Sequence, residues 1–261
     1  MLELRPLPAF SDNYIWVFAE RGSSQCGVVD PGDAAPVLRY LQHHGLALEA
    51  ILLTHHHADH IGGVQDLLEH APVPVYGPNS KRMPGITNVV GTGDTITVAG
   101  TCFKVLEVPG HTLEHIAYFG TPADSSGPPL LFCGDTLFGA GCGRMFEGTP
   151  SMMHASLEKL AALPPSTRVC CAHEYTLSNL RFAAAAMPDS TAVRERFVRE
   201  QALRDAGVPT LPSQPSDEQA TNPFLRCGRP EVVASARQHS PGTGSDPASV
   251  FGALRSWKDT F

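Results

Sequence analysis

The chain has 261 residues, 42% of them hydrophobic, which is enough to bury a substantial core in one large domain or one and a half. Its formal charge is −7 and it contains no dense block of Lys and Arg, which argues against a nucleic-acid partner. Its apolar runs are strand-sized, well short of the roughly 20 residues that span a bilayer, and residues 1–16 lack the basic and apolar regions of a signal peptide. We therefore expect a soluble, cytoplasmic, monomeric protein without a membrane partner.

The cysteine content agrees with a cytoplasmic location. Seven cysteines occur, an odd number without the spacing of a disulfide framework, and most lie in apolar runs. We therefore expect reduced thiols that are mostly buried.

The first two thirds of the chain consist of short apolar runs separated by Gly, Pro and Asp, a pattern typical of β-strands. The predicted strands are residues 14–19, 26–29, 50–53, 73–76, 95–98, 103–108, 116–119, 130–133 and 169–172. Helical patterns lie between them at residues 34–44, 63–70 and 150–162. Asp33 and Thr149 are expected to cap the first and last of these helices, and Gly45 to end the first. Sheets covered by helices, an α/β (α+β) arrangement, are predicted.

The character of the sequence changes after His173. Residues 177–187 and 191–206 are rich in Ala, Arg, Glu and Leu at helical spacing, and no convincing strand follows. Two loops rich in Pro and Ser, residues 208–217 and 240–247, separate two further short helical patterns. We therefore expect a catalytic domain at residues 1–173 and a smaller, all-helical, substrate-binding domain at 174–261.

Residues 54–60 read THHHADH and directly follow a predicted strand. In an extended chain residues i and i+2 project to the same side, so His55 and His57 can share one metal ion. Asp59 and His60 are adjacent and would point apart in an extended chain. Gly62 and Gly63 just beyond them let the backbone turn into the helix that follows, so we assign Asp59 and His60 to a second ion. Chance occurrence of this pattern is about one in a thousand for this composition.

Three further candidate ligands each come just after a predicted strand: His111, Asp135 and His173. Residues at strand ends converge on one rim of a sheet. The pattern predicts His55, His57 and His111 on one ion, Asp59, His60 and His173 on the other, and Asp135 as a bridge. A structural zinc site is the alternative, but such sites usually have four ligands, often cysteines.

Imidazole and carboxylate ligands suit Zn²⁺, with Fe or Mn as alternatives. Two divalent ions about 3.5 to 4 Å apart would hold a bridging hydroxide between them, which makes hydrolysis the expected reaction. Asp135, Asp59 and His60 are the residues that we expect to carry it.

Further motifs surround the candidate ligands: PAFSDNYIW (8–16), VPGHTLEH (108–115), GDTLFGAGCGRMFEGT (134–149), HEYTLSNLRFA (173–183), NPFLR (222–226) and LRSWKDTF (254–261). Together with THHHADH they resemble the metallo-β-lactamase superfamily and, within it, the hydroxyacylglutathione hydrolase (glyoxalase II) family. The resemblance implies an αββα sandwich followed by a helical domain. It also implies hydrolysis of S-(2-hydroxyacyl)glutathione thioesters such as S-D-lactoylglutathione to D-lactate and glutathione.

The same resemblance implies that Arg144, Tyr175, Arg255 and Lys258 hold the glycine end of glutathione. From composition alone, a solvated helix face is the favoured interpretation of Arg255 and Lys258, and only the resemblance reverses this preference. The resemblance also implies that Phe146, which stands where some relatives have Tyr, contacts the substrate.

Two neighbouring residues also concern the site. Glu114 stands where many relatives have Gly. The resemblance places His115 as a buried support that does not touch metal.

Other functions stay open at this stage. A persulfide dioxygenase-like enzyme with a single iron shares the ligand pattern, and so does a β-lactamase or lactonase. A non-enzymatic carrier of metal or thiol is the alternative outside catalysis. The motifs of the C-terminal third favour the thioester hydrolase.

Overall fold

The computed structural model describes residues 2–83, 85–122 and 127–261. These residues form two compact units that interleave along the chain. The first unit comprises Met1–Glu107, Glu114–Gly134 and Arg168–His173. The second comprises Val108–Leu113, Asp135–Thr167 and Glu174–Phe261.

The strands are β1 (Leu2–Ala9), β2 (Asn13–Glu20), β3 (Gln25–Val29), β4 (Ala47–Leu52), β5 (Val75–Gly77), β6 (Asn88–Val89), β7 (Thr95–Val98), β8 (Thr101–Glu107), β9 (Ile116–Pro122), β10 (Leu130–Gly134), β11 (Leu137–Phe138), β12 (Gly141–Cys142) and β13 (Arg168–Cys171). The helices are α1 (Ala34–His44), α2 (Ala58–Ile61), α3 (Val64–His70), α4 (Pro150–Ala161), α5 (Thr176–Ala186), α6 (Thr191–Asp205), α7 (Pro215–Thr221), α8 (Pro230–His239) and α9 (Pro247–Thr260), with a 3₁₀ turn at Pro223–Leu225.

Two mixed sheets make up the first unit. One has the order β1-β2-β3-β4-β5-β6, in which the first three strands are antiparallel and β3 to β6 are parallel. The other has the order β13-β10-β9-β8-β7, in which only the pairing of β10 with β13 is parallel. The predicted α/β class, with sheets first and helices in the C-terminal part, is confirmed.

The burial of strand β2 on both faces explains why its sequence is apolar from Tyr14 to Ala19. Ile15 and Val17 belong to the core that the first sheet forms with residues of α1 and α3. The alternate residues point to the second sheet, because the ring of Phe18 lies 5.3 Å from that of Phe132 and 5.2 Å from that of Phe103. A strand buried on both faces has no polar face to show in its sequence.

The capping residues predicted for α1 are confirmed. The Asp33 carboxylate accepts a hydrogen bond from the Ala35 amide, and Gly45 ends the helix in the left-handed region with φ of 64°. Strand β1 was not among the predicted strands, because its exposed positions and Pro6 and Pro8 hide the strand pattern. Helix α7 begins at Pro215, inside a segment expected to be a loop.

In the second unit, aromatic rings fill the space between helices. Phe182 stacks on Phe224 at 5.8 Å, and Phe224 meets Phe251 at 5.5 Å. All three side chains are fully buried. The NPFLR motif thus contributes the central ring of this core.

A buried ion pair fixes the hairpin of β11 and β12 in the second unit. Arg196 donates to the Glu218 carboxylate at 2.7 Å, and the other oxygen of Glu218 accepts from the Ala140 amide at 2.7 Å. Ala140 has φ of 53°, a conformation that costs free energy without glycine. Asn222 adds a bond from its side-chain amide to the Gly141 carbonyl at 2.9 Å.

The cysteines and the apolar helices agree largely with the expectations from sequence. Six of the seven cysteines are buried as predicted, and Cys102 is exposed. Among residues 2–83, 85–122 and 127–261, no helix is both long and apolar enough to cross a bilayer.

We predict that Glu218→Gln lowers the free energy of unfolding by about 2–3 kcal/mol, because it leaves the buried Arg196 guanidinium without a full counter-charge. Glu200, 3.5 Å from Arg196, keeps the loss below that of an isolated pair. Urea unfolding followed by circular dichroism measures this change. Glu231→Gln is the matched control, because Glu231 pairs with Arg226 at an exposed position and should cost less than about 1 kcal/mol. Equal losses in the two variants would contradict the assignment.

Candidate metal centre

The seven predicted metal ligands divide between the two units. His55, His57, Asp59, His60 and His173 belong to the first unit, and His111 and Asp135 belong to the second. All seven lie in the part of the chain that the structure describes.

His55 and His57 of the motif lie shortly after the end of β4. His55 Nε2 lies 3.0 Å from His57 Nδ1, so the two rings present nitrogen atoms to one another. The His55 side chain is fully buried, and its Nδ1 lies 3.0 Å from the Thr54 hydroxyl. The two ring nitrogens are close enough to bind one ion, and their sharing of an ion stays a prediction.

Asp59, His60 and His173 form a second group, in which one ligand atom from each residue lies within 4.8 Å of the others. Asp59 Oδ2 is 3.5 Å from His60 Nε2 and 3.4 Å from His173 Nε2. The short helix α2 begins at Ala58 and turns the chain, which lets the adjacent residues Asp59 and His60 serve one group. These three donors could hold a metal ion.

Each donor of this group is fixed by a second polar residue. His173 Nδ1 lies 2.7 Å from Asp12 Oδ1, and His60 Nδ1 lies 3.1 Å from Asp30 Oδ2. A carboxylate beside Nδ1 keeps the proton there and leaves Nε2 as the ligand atom. The Asn13 amide donates to Asp59 Oδ2 at 2.9 Å.

Sequence reasoning did not identify Asp12, Asn13 or Asp30 as part of the site. Asp12 and Asn13 lie in the motif PAFSDNYIW, to which the sequence assigned no metal role. The backbone brings them to the site. Asn13 forms an antiparallel β-bridge with His173, and the Tyr14 amide donates to the Ala172 carbonyl at 2.7 Å.

Asp30 follows β3, the parallel neighbour of β4. Its carboxylate accepts from the Thr54 amide at 2.8 Å and from the Thr54 hydroxyl at 2.7 Å. Its position at the end of a strand next to β4 is the signal that could have identified it, because the ends of parallel neighbours lie side by side.

In the second unit, His111 and Asp135 form a closely spaced pair. His111 Nε2 lies 3.3 Å from Asp135 Oδ2. His111 Nδ1 lies 2.8 Å from the Arg144 carbonyl, which can only accept, so we place the ring proton on Nδ1. His111 Nε2 is then the atom available as a ligand.

A cavity of about 460 Å³ in the second unit contains both residues of this pair. All five predicted substrate-binding residues line the same cavity: Arg144, Phe146, Tyr175, Arg255 and Lys258. The structure thus gathers residues from 111 to 258 in sequence around one space.

The basic residues of the cavity differ in exposure. Arg255 is only 3% exposed, donates to the Cys142 carbonyl at 3.0 Å, and lies with its guanidinium 5.3 Å from the centre of the Phe224 ring. A solvated helix face is therefore excluded for Arg255. Burial, and then the charge of Arg255, lower the pKa of Lys258 to about 8. Arg144 is the exposed member of the three, with a side chain 64% exposed.

Two aromatic residues complete the cavity wall. Tyr175 precedes α5 and meets the Phe138 ring at 5.3 Å in a T-shaped contact. Phe146 is 63% exposed, and its ring lies 5.3 Å from that of His111.

Two residues near the motif in the first unit, Glu114 and His115, have supporting contacts. The Glu114 carboxylate contacts His56 Nδ1 and lies 3.9 Å from Arg82. His115 is fully buried and stacks on His55 at 4.6 Å, as expected for a supporting residue.

Comparison with known proteins defines the class. Residues 11–173, more than half of the chain, match the metallo-beta-lactamase superfamily. The protein is a member of this superfamily, and its two mixed sheets with flanking helices have the metallo-β-lactamase fold.

The C-terminal part and the full-length relatives narrow the class to one family. Residues 174–261 match the family described as hydroxyacylglutathione hydrolase C-terminus. The chain is 50% identical to a protein of Ectopseudomonas mendocina (strain ymp) named hydroxyacylglutathione hydrolase, with 100% of both chains covered. The chain belongs to the hydroxyacylglutathione hydrolase family, and its members are hydrolases.

Two solved structures illustrate the shared fold. ETHE1 from Myxococcus xanthus has a TM-score of 0.65 at 22% identity, covering 100% of this chain and 99% of that one, which shows a common fold alone. TTHA1623, solved in a di-iron-bound form, has a TM-score of 0.54 at 29% identity, covering 65% of this chain and 91% of that one.

Proposed function

We propose that this protein hydrolyses S-(2-hydroxyacyl)glutathione thioesters, S-D-lactoylglutathione among them, to a 2-hydroxy acid and glutathione. The observation that carries the proposal is the cavity of about 460 Å³, in which His111 and Asp135 share one space with Arg144, Arg255 and Lys258. Such a cavity can place an anionic, peptide-like thiol ester beside metal ligands. Full-length relatives named hydroxyacylglutathione hydrolase support the same substrate class.

We further propose two divalent metal ions per chain, with Zn²⁺ favoured and Fe or Mn as alternatives. His55, His57 and His111 would hold one ion, Asp59, His60 and His173 the other, and Asp135 would bridge them. Imidazole and carboxylate donors without thiolate fit these ions, and the di-iron-bound form of a relative supports a pair of metals. Two such ions activate water for attack and polarise a carbonyl oxygen.

The residues of the chain then have separate tasks. Asp135, Asp59 and His60 would position the attacking water beside the thioester carbonyl. Arg144 and Lys258 would bind the glycine carboxylate of glutathione, because they are the basic groups of the cavity that are not fully buried. Arg255 would act mainly by fixing the Cys142 segment, to which it donates a hydrogen bond.

The aromatic residues and the leaving group complete the proposal. The Tyr175 hydroxyl would hydrogen-bond to the peptide part of the substrate, whereas Phe146 can offer only ring contact. A thiol with a pKa of roughly 8.5 leaves as thiolate without a strong general acid, so no further proton donor is needed. We propose that the enzyme works as a cytoplasmic monomer.

An assay of S-D-lactoylglutathione hydrolysis tests the proposal. The loss of absorbance at the thioester band measures the rate. We expect turnover by the wild-type protein, loss of turnover after chelation, and recovery when Zn²⁺ is added back. Asp135→Asn should lower kcat at least about 100-fold, whereas Asp66→Asn, which removes an exposed carboxylate from α3, should retain turnover.

Each competing function gives a different result in the same experiment. Oxygen consumption with one iron per chain and no thioester hydrolysis would identify the persulfide dioxygenase-like alternative. Bound metal without turnover of any thioester in a panel would identify the carrier. Either result would exclude the hydrolase.

The pKa of Lys258 predicts how substrate affinity depends on pH. Because this pKa is lowered to about 8, Lys258 is charged below pH 8 and loses its charge as the pH rises through that value. KM for an anionic thioester should therefore rise above pH 8. Lys258→Arg, whose charge persists, should show a flatter profile between pH 7 and 9.5.

The comparison of the two proteins cancels the titration of the substrate itself, because both bind the same thioester. Identical KM profiles for wild type and Lys258→Arg would remove Lys258 from the binding site.

A further inference from the structure

Asp259 lies between two arginines of the second unit. Its Oδ1 atom accepts a hydrogen bond from Arg255 Nη2 at 3.0 Å and lies 3.4 Å from Arg144 Nε. A single carboxylate oxygen therefore serves both guanidinium groups. Arg144 and Arg255 both line the cavity of about 460 Å³.

The position of Asp259 in its helix is unfavourable by itself. Helix α9 ends at Thr260, so Asp259 lies in the last turn, where the helix dipole repels negative charge. Its contacts with the arginines offset this cost. The Asp259 side chain is 42% exposed and one residue from the end of the helix, so it can rotate away without disturbing packed residues.

Arg255 cannot offer both terminal nitrogens of its guanidinium to a ligand in this arrangement. One terminal nitrogen donates to the Cys142 carbonyl and the other to Asp259. The exposed Arg144 is then the guanidinium that an incoming carboxylate can reach. That carboxylate would meet the negative charge of Asp259, and like charges at this distance repel.

The site nevertheless carries more positive charge than Asp259 neutralises. The pKa of Lys258 is lowered by burial and by the charges of Arg255 and Arg144, even though Asp259 acts in the opposite direction. Arg144, Arg255 and Lys258 are three basic groups in one cavity. A second anion is therefore attracted to the cavity even while Asp259 is present.

We propose that Asp259 is an internal counter-ion that occupies Arg144 when the cavity is empty and gives Arg144 up to the carboxylate of an incoming substrate. Asp259 would thereby limit affinity and make binding depend on a carboxylate at the glycine end of the ligand. The inference rests on the proposed function, because it takes a glutathione derivative as the ligand.

Isothermal titration with S-methylglutathione, a thioether that cannot be hydrolysed, tests the proposal. Asp259→Asn keeps an oxygen that accepts from Arg255 and removes only the charge. We expect it to lower Kd about three- to fivefold, the upper range for an exposed ion pair. Asp205→Asn, the same change at an exposed position at the end of α6, is the matched control and should leave Kd unchanged.

The ethyl ester of S-methylglutathione at the glycine carboxylate provides a second readout. The gain in affinity from Asp259→Asn should disappear with this ligand, because no carboxylate then competes for Arg144. Asp259→Ala provides a second variant if Asp259→Asn is poorly folded.

An unchanged or higher Kd for S-methylglutathione in a folded variant would overturn the role of Asp259, and so would an equal gain with the ester. Absence of binding to the wild-type protein would instead overturn the proposed function, which separates the two failures.

Discussion

The metal-binding motif of the first unit depends on one buried carboxylate, that of Asp30. It accepts two hydrogen bonds from Thr54, from the amide at 2.8 Å and the hydroxyl at 2.7 Å, and lies 3.1 Å from His60 Nδ1. One side chain therefore fixes both the start of the run 54–60 and the candidate ligand His60. The Thr54 hydroxyl in turn lies 3.0 Å from His55 Nδ1. Because hydrogen bonds are directional, these carboxylate, hydroxyl and imidazole contacts fix the orientation of the candidate ligands.

The second unit uses the same principle with a buried ion pair. Glu218 holds the left-handed Ala140 and is itself held by Arg196. The Gly141 carbonyl is bound by Asn222, and the Cys142 carbonyl is bound by Arg255. The segment that carries Cys142 and Arg144 is thus bonded to Glu218 of α7, to Asn222 just after α7 and to Arg255 of α9. Arg196 of α6 acts on it only through Glu218. This explains why motifs far apart in sequence, such as NPFLR and LRSWKDTF, concern one cavity: they supply bonds to its wall rather than only side chains that face a substrate.

Local sequence signals predicted what local interactions determine. Helix α1 has both capping residues in its sequence, and β2 shows its burial in an unbroken apolar run. The candidate ligands could be named from sequence because each follows a predicted strand, and their binding of metal stays a prediction. By contrast, Asp12 meets His173 across 161 positions, and no local pattern reports such a contact. Arg255 has the sequence of an exposed helix face, yet the Cys142 carbonyl, Asp259 and the Phe224 ring bury it. The roles of Phe146 and Tyr175 stay predictions that only binding experiments test.

We propose that two donor groups hold two ions and that residues such as Asp12 orient the candidate ligands of one group. Competition titration of Zn²⁺ against a chromophoric chelator tests it most directly, with wild type and Asp12→Ala compared. We predict two ions per chain for the wild type and, in the variant, a 10- to 100-fold loss of affinity at one site with the other unchanged. One ion per wild-type chain, or equal affinities in the two proteins, would contradict this account.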